Sequence, residues 1–124
     1  MIDYLYDGSF EGLLTCIYKN YYDEKASGIY PERYYQASLF NPYKIIKTDE
    51  GQARIVYEAI ERKISTADLR RIYRVFLSSA EHKETKILQY VRLGFKAGPK
   101  VSLLHSEPLV FDVQQIEHQV TLEV

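Results

Sequence analysis

The chain has 124 residues, of which 46% are hydrophobic and 27% charged, and its formal net charge is −1. These values are typical of a folded globular protein and exclude a disordered or fibrous one. The single cysteine, Cys16, excludes an internal disulfide and favours a reducing compartment. We find neither a signal peptide nor an apolar run long enough to cross a bilayer. We therefore expect a cytoplasmic location and no membrane partner.

The charge is unevenly distributed along the sequence. Residues 62–100 hold ten basic and three acidic side chains, a net charge of +7, which leaves −8 for the remainder. Such a segment favours a basic face that meets an anionic partner. The alternative is that the basic helices pack beside acidic ones and the charges neutralise each other. The sequence alone leaves both interpretations open.

Tyrosine is abundant, with twelve copies against no tryptophan. A tyrosine side chain has an apolar body and a polar tip, so it suits the rim of a core or an interface. Its ring can also stack on an unpaired base. We expect most of the twelve to be rim residues.

The N-terminal part of the sequence predicts a strand followed by a helix. Residues 2–6 are rich in β-prone side chains and predict the strand. A turn at residues 7–9 follows, and the apolar residues after it recur at helical spacing. This pattern predicts a helix over about 9–23.

A connection and a second strand come next. Residues 24–42 contain one glycine and two prolines without a sustained period, so we predict a long connection with one helical turn near 33–39. A second strand is expected at about 43–47. Strand, helix and strand in this order permit a parallel pair.

The remaining sequence predicts helices. Helix-start signals occur at Asp49, Ser65 and Pro108, and Gly98-Pro99 is a stop signal. The predicted helices span about 50–64, 66–80, 84–97 and 108–124. The fold class is therefore α+β and helix-rich, with two short N-terminal strands and four or five helices in a single domain. The last helix keeps its period to the final residue, so we expect the N-terminal portion of a longer protein.

No catalytic apparatus is visible in the sequence. His82, His105 and His118 lack the spacing of metal ligands, both to one another and to Cys16. Phosphate loops, dinucleotide fingerprints and serine-hydrolase elbows are also missing. We predict no catalytic residue, no metal and no cofactor.

The turn between the first strand and the first helix is the most distinctive local feature. Asp7, Ser9 and Glu11 surround backbone N–H groups that could cradle an anion, so these residues are a candidate site wall. The two carboxylates would repel an anion. We therefore favour a capped strand-to-helix turn.

The basic face is the better candidate site. At 100° per residue, Arg70, Arg71 and Arg74 fall in one arc of a helix. On the following helix Arg92 and Lys96 share a face, which Lys100 extends. Arginine can grip two phosphate oxygens, so this face predicts nucleic-acid binding. The alternative is an ordinary solvated helix face.

The sequence also resembles a known family. Residues 4–15 (YLYDGSFEGLLT) resemble the start of a bacterial family of DNA metabolism and DNA repair proteins, which contain a domain of unknown function numbered 4130. The resemblance continues through residues 53–56 (ARIV), 76–78 (FLS) and 90–95 (YVRLGF), and it ends at 118–124 (HQVTLEV). It covers essentially the whole chain, and its opening block is the most specific part.

The resemblance implies a role in DNA repair or modification as an accessory to a partner enzyme. Family members are longer and add a second half, some are fused to a uracil-DNA glycosylase domain, and many are encoded beside a radical-SAM protein associated with DNA. It implies no catalytic residue, because the activity of the family is undefined.

Three functions follow as hypotheses. The first is an accessory DNA-binding module that uses the basic face. The second is an interaction scaffold that docks a radical-SAM partner through its tyrosines. The third is half of an enzyme whose site, walled by Asp7, Ser9 and Glu11, needs a C-terminal portion. If that portion supplies strands, the strands at 2–6 and 43–47 have bare edges here, so we also expect self-association of the chain.

Overall fold

A computed structural model describes residues 2–37 and 41–123. The chain divides into two compact units, Met1–Tyr57 and Glu58–Val124, and the division falls within a continuous helix. The first unit contains a three-stranded sheet, and the described part of the second unit is built from helices. The helix-rich α+β class is confirmed. That the chain unfolds as a single domain stays a prediction. That it is the N-terminal portion of a longer protein also stays a prediction.

The first unit begins with a strand, β1 (Ile2–Tyr6), and a helix, α1 (Phe10–Tyr22). Gly8 turns the chain between them with a φ of +92°, a conformation that favours glycine. Ser9 caps the helix, because its Oγ accepts a hydrogen bond from Gly12 N at 2.9 Å. The predicted strand, turn and helix are therefore confirmed. The helix begins one residue later and ends one residue earlier than predicted.

Helix α1 is anchored to the central strand through its apolar stripe. Leu13, Leu14 and Ile17 are buried on this helix. Tyr4 on β1 is fully buried, and its hydroxyl donates a hydrogen bond to the carbonyl of Glu24, just past the end of the helix. Burial raises the pKa of Tyr4 to about 12, with Asp23 and Glu24 adding to the effect, so this phenol stays a donor.

The sheet has two further strands, β2 (Ala26–Pro31) and β3 (Tyr43–Ile45). The strand order is β2-β1-β3, and both outer strands run parallel to β1. The predicted parallel pair is confirmed. β1 lies in the centre, so it has no bare edge, contrary to our expectation. Strand β3 ends two residues early: Ile46 N still donates to Leu5 O at 2.8 Å, and the chain then leaves the sheet.

Strand β2 falls within the segment that we predicted to be a connection. Its glycine and proline are common in turns, but both have places that an edge strand tolerates. Pro31 is the last residue of the strand. Gly28 lies beneath Tyr30, and a Cβ on it would lie 2.7 Å from the Tyr30 hydroxyl. The predicted helical turn is a short 3-10 helix at Glu32–Tyr34, and residues 38–40 lie outside the described residues.

The helices after the sheet match the predicted ones closely. They are α2 (Glu50–Lys63), which crosses from the first unit into the second, α3 (Thr66–Leu77), α4 (Lys83–Ala97) and α5 (Pro108–Glu123), with a 3-10 helix at Gly98–Leu103 between the last two. α3 ends three residues earlier than predicted, and Lys83 Nζ donates to the carbonyl oxygens of Phe76 and Ser78 at this end, at 2.6 and 3.0 Å. Among the described residues, no helix combines the length and apolar composition needed to cross a membrane.

Helix α4 is the centre of the second unit. It packs against α3, α5 and the 3-10 helix, and it buries residues on opposite sides of its axis. Gly94 allows a close approach, since a Cβ at this position would collide with Cδ1 of Ile64, the residue just after α2. Apart from Tyr90, the largest fully buried side chains of this unit are aliphatic: Ile60, Ile64, Ile72, Val75, Ile87 and Leu88.

Candidate functional site

The predicted basic face begins on α3. Ser65 fixes the start of this helix, because its Oγ accepts a hydrogen bond from Asp68 N at 2.9 Å. Arg70 and Arg74 lie on the exposed side. Arg71 is only 17% exposed at its side chain. The three arginines therefore do not form one uniformly exposed arc.

Arg71 is held by a hydrogen-bond network that joins α3, α4 and α5. Its Nη1 donates to Asp68 Oδ1 at 2.6 Å, and its Nε donates to Glu117 Oε1 at 2.9 Å. The Tyr90 hydroxyl donates to the same Asp68 oxygen at 2.6 Å. Asp68 and Tyr90 are almost fully buried, so these bonds compensate for groups that have lost their water.

The network also decides the chemistry of Arg71. Burial lowers the pKa of its guanidinium, but the hydrogen bonds with Glu117 and Tyr90 raise it by more, so the net pKa is raised and the charge is secure. This charge is matched by the carboxylates inside the unit. Arg71 therefore stabilises the packing of the helices and is not a candidate DNA contact.

Two further basic residues of the +7 segment are paired with acids of α5. Arg74 Nη1 donates to Glu117 Oε2 at 3.0 Å, and Lys86 Nζ lies 2.9 Å from Asp112 Oδ2. Both carboxylates lie outside the basic segment in the sequence. Mutual neutralisation, the alternative left open above, thus applies to Arg71, Arg74 and Lys86.

The other predicted cations differ from Arg71 in their exposure to solvent and in their ion pairing. Arg70, Lys96 and Lys100 are exposed and form no ion pair within the ranges that the structure describes. Arg92 is half-buried on α4, one turn before Lys96 and on the same face. Arg74 keeps 49% of its side chain exposed despite its ion pair. Five of the predicted cations thus keep exposed or half-buried side chains: Arg70 and Arg74 on α3, Arg92 and Lys96 on α4, and Lys100 in the 3-10 helix after it.

The candidate wall at the first turn is occupied by its own hydrogen bonds. Asp7 Oδ1 accepts from Ser9 N at 2.9 Å and from Ser9 Oγ at 2.6 Å, and Asp7 Oδ2 accepts from Thr48 Oγ1 at 2.9 Å. The bonds from Ser9, and then that from Thr48, hold the pKa of Asp7 below its ordinary value. Ser9 N and Gly12 N, which an anion cradle would need, are bonded to side chains. The capped-turn interpretation is confirmed, and Glu11 lies exposed beside it.

The remaining reactive residue types do not converge. Cys16 is fully buried, and burial raises the pKa of its thiol, which keeps it protonated and unreactive. His105 is exposed, with its Nδ1 3.3 Å from Gln114 Oε1. Within residues 2–37 and 41–123, no group of three or more His, Cys, Asp and Glu side chains could hold a metal ion.

Two groupings escaped the sequence analysis. Asp68 lies three residues after the helix-start signal at Ser65, and its partners Tyr90 and Glu117 come from distant segments. A cleft in the first unit is lined by Lys19 of α1, Lys44 of β3 and Lys47 in the segment after β3. Only the spacing of Asp68 and Arg71, three residues apart on a helix, offered a local signal.

Comparisons with known proteins do not place the chain in a family. No protein-family model, curated protein or solved structure matches it. The resemblance to the DNA metabolism and repair family therefore stays a prediction, carried by the residues quoted above.

Proposed function

We propose that this chain is a DNA-binding accessory module that acts in the cytoplasm with a partner enzyme of DNA repair or modification. The observation that carries the proposal is the set of exposed cations Arg70, Lys96 and Lys100, which have no ion-pair partner among the described residues. Arg74, which keeps 49% of its side chain exposed beside Glu117, is a further candidate contact. Arg92 is half-buried and lies on the same helix face as Lys96. The family resemblance supplies DNA, rather than another polyanion, as the partner.

The expected contacts are with the phosphate backbone. Exposed arginine and lysine side chains on helices suit phosphate oxygens, and such contacts position a protein without reading sequence. Each neutralised phosphate releases counterions, which gives a slope of about −0.9 in log affinity against log salt. Five cations that each neutralise one phosphate would therefore give a slope of about −4.5.

Fluorescence anisotropy with labelled single- and double-stranded DNA at low salt tests the proposal. The triple variant Arg70→Gln, Lys96→Gln, Lys100→Gln should bind more weakly and reduce the salt slope by about 2–3. The matched control is Lys25→Gln, an exposed lysine of the first unit, which should leave binding unchanged. No binding of the wild-type chain at low salt would contradict the proposal.

The tyrosines favour a second candidate, an interaction scaffold for a radical-SAM or uracil-DNA glycosylase protein. The structure leaves half of the twelve exposed: Tyr21, Tyr22, Tyr34, Tyr43, Tyr57 and Tyr73. Large exposed aromatic side chains are enriched at protein interfaces. Co-purification with the partner that survives nuclease and high salt, from a chain that shows no DNA binding, would favour this candidate over the first.

A further inference from the structure

The first unit contains a cleft beside the edge strand β3, and its lining includes none of the cations proposed to contact DNA. Its lining residues come from three places: Lys19 on α1, Lys44 on β3 with Lys47 and Thr48 after it, and Gln52 on α2. Its volume of about 420 Å³ lies within the range of small-molecule sites.

The charge of the cleft is positive. Lys19 Nζ and Lys44 Nζ lie 3.8 and 3.9 Å from one oxygen, Oδ2 of Asp23. Two ammonium groups thus converge on a single anionic oxygen, at distances too long for hydrogen bonds. Lys47 is exposed and has no partner in the described residues. A second anion can therefore be held by these lysines without breaking a hydrogen bond.

The carboxylate that lines the cleft does not cancel this charge. Asp49 Oδ1 accepts a hydrogen bond from Gln52 N at 2.9 Å, so Asp49 caps α2. The negative charge of Asp49 therefore interacts with the N–H groups at the start of α2. The three ammonium groups meet two carboxylates, the lining Asp49 and the Asp23 that Lys19 and Lys44 share, so the cleft keeps a net positive charge.

Gln52 adds a requirement for a hydrogen-bond donor. Its Oε1 is shielded from solvent and has no hydrogen-bond partner among the described residues. A shielded acceptor without a donor is unfavourable, and a bound molecule that donates to it would remove the penalty. The ligand should therefore carry both negative charge and an O–H or N–H group.

We propose that this cleft binds a phosphate group, held by Lys19, Lys44 and Lys47, whose own hydroxyl or attached donor bonds to Gln52 Oε1. A free phosphate, a nucleotide and the 5′-phosphate of a nucleic acid all carry this chemistry. The site shares no residue with the cations proposed for DNA, so either proposal can fail alone.

Amide NMR titrations of the full chain test the cleft. The probes are inorganic phosphate, sulfate, deoxyadenosine 5′-monophosphate, and one decamer with and without a 5′-phosphate. We expect phosphate or the nucleotide to shift the signals of residues 44–52, and a response to the phosphorylated decamer alone would assign the source to nucleic acid. Sulfate lacks the O–H donor and should bind more weakly than phosphate. No shift at residues 44–52 with any probe, or equal binding of sulfate and phosphate, overturns the proposal.

Variants separate this site from general surface charge. The double variant Lys44→Gln, Lys47→Gln should weaken phosphate binding about tenfold, since charged hydrogen bonds are lost. Both lysines are exposed, so the fold should persist, which the unshifted remainder of the spectrum would verify. Lys25→Gln is again the matched control. Equal affinity in the double variant and the wild type overturns the assignment.

Discussion

Arg70 and Arg71 are adjacent arginines with opposite environments. Arg70 is exposed, whereas the Arg71 guanidinium bonds to Asp68 and Glu117 between three helices. A buried ion pair of this kind adds little net stability compared with apolar packing. Removing one partner is costly, because the other charge is then left buried without compensation. The two arginines should therefore differ sharply when each is replaced.

Arg71→Ala should lower the free energy of unfolding by about 3 kcal/mol, because Asp68 would remain buried without its cation. Arg70→Ala is the matched control and should change stability by less than about 0.5 kcal/mol, as expected for an exposed position. Urea denaturation followed by circular dichroism measures both. Equal stability of the two variants would show that the Arg71 network does not hold the helices together.

At the scale of elements, α4 is constrained by its neighbours on several sides. Gly94 is unfavourable for a helix interior, but it is the residue that lets Ile64 approach the helix backbone. The sequence gives no indication of this contact, because a glycine inside a predicted helix does not reveal which residue packs against it. The helix itself was predictable, because its apolar spacing and its Gly98-Pro99 stop are local features.

Gly94→Ala should destabilise the protein by about 1–2 kcal/mol, since the added Cβ collides with Ile64 Cδ1 and overpacking outweighs the gain in helix propensity. Ile64→Val removes that Cδ1 atom. In the double variant the cost of Gly94→Ala should largely disappear. Thermal unfolding of the two single variants and the double variant measures this coupling, and strictly additive effects would contradict it.

For the whole molecule, the open sheet edges are where we expect association. β1 is covered on both sides, so the edges belong to β2 and β3. No strand among the described residues pairs with the outer side of β3, and Tyr43 and Ile45 on it are exposed by 48% and 55%. Such an edge favours pairing with a second copy of the chain.

We predict concentration-dependent self-association, and Ile45→Lys should shift the chain toward the monomer, because a lysine on an edge strand opposes pairing. Ile55→Lys is the matched control: Ile55 is exposed by 51%, but it lies on the helix α2 and not on a strand. Light scattering coupled to size-exclusion chromatography reports the mass. A wild-type chain that stays monomeric at every concentration contradicts the prediction.

Elements whose signals are local could be predicted from the sequence. Ser9, Ser65 and Pro108 mark helix starts, and apolar spacing predicted the five helices of the described residues. Residues with β propensity predicted two of the three described strands. Only the tertiary structure produced β2, because that strand depends on pairing with β1 rather than on its own composition. The tertiary structure also decided which cations of the basic segment form ion pairs. Glu117 neutralises Arg71 and Arg74 from a distant segment, and no local pattern encodes an ion pair that long-range packing creates.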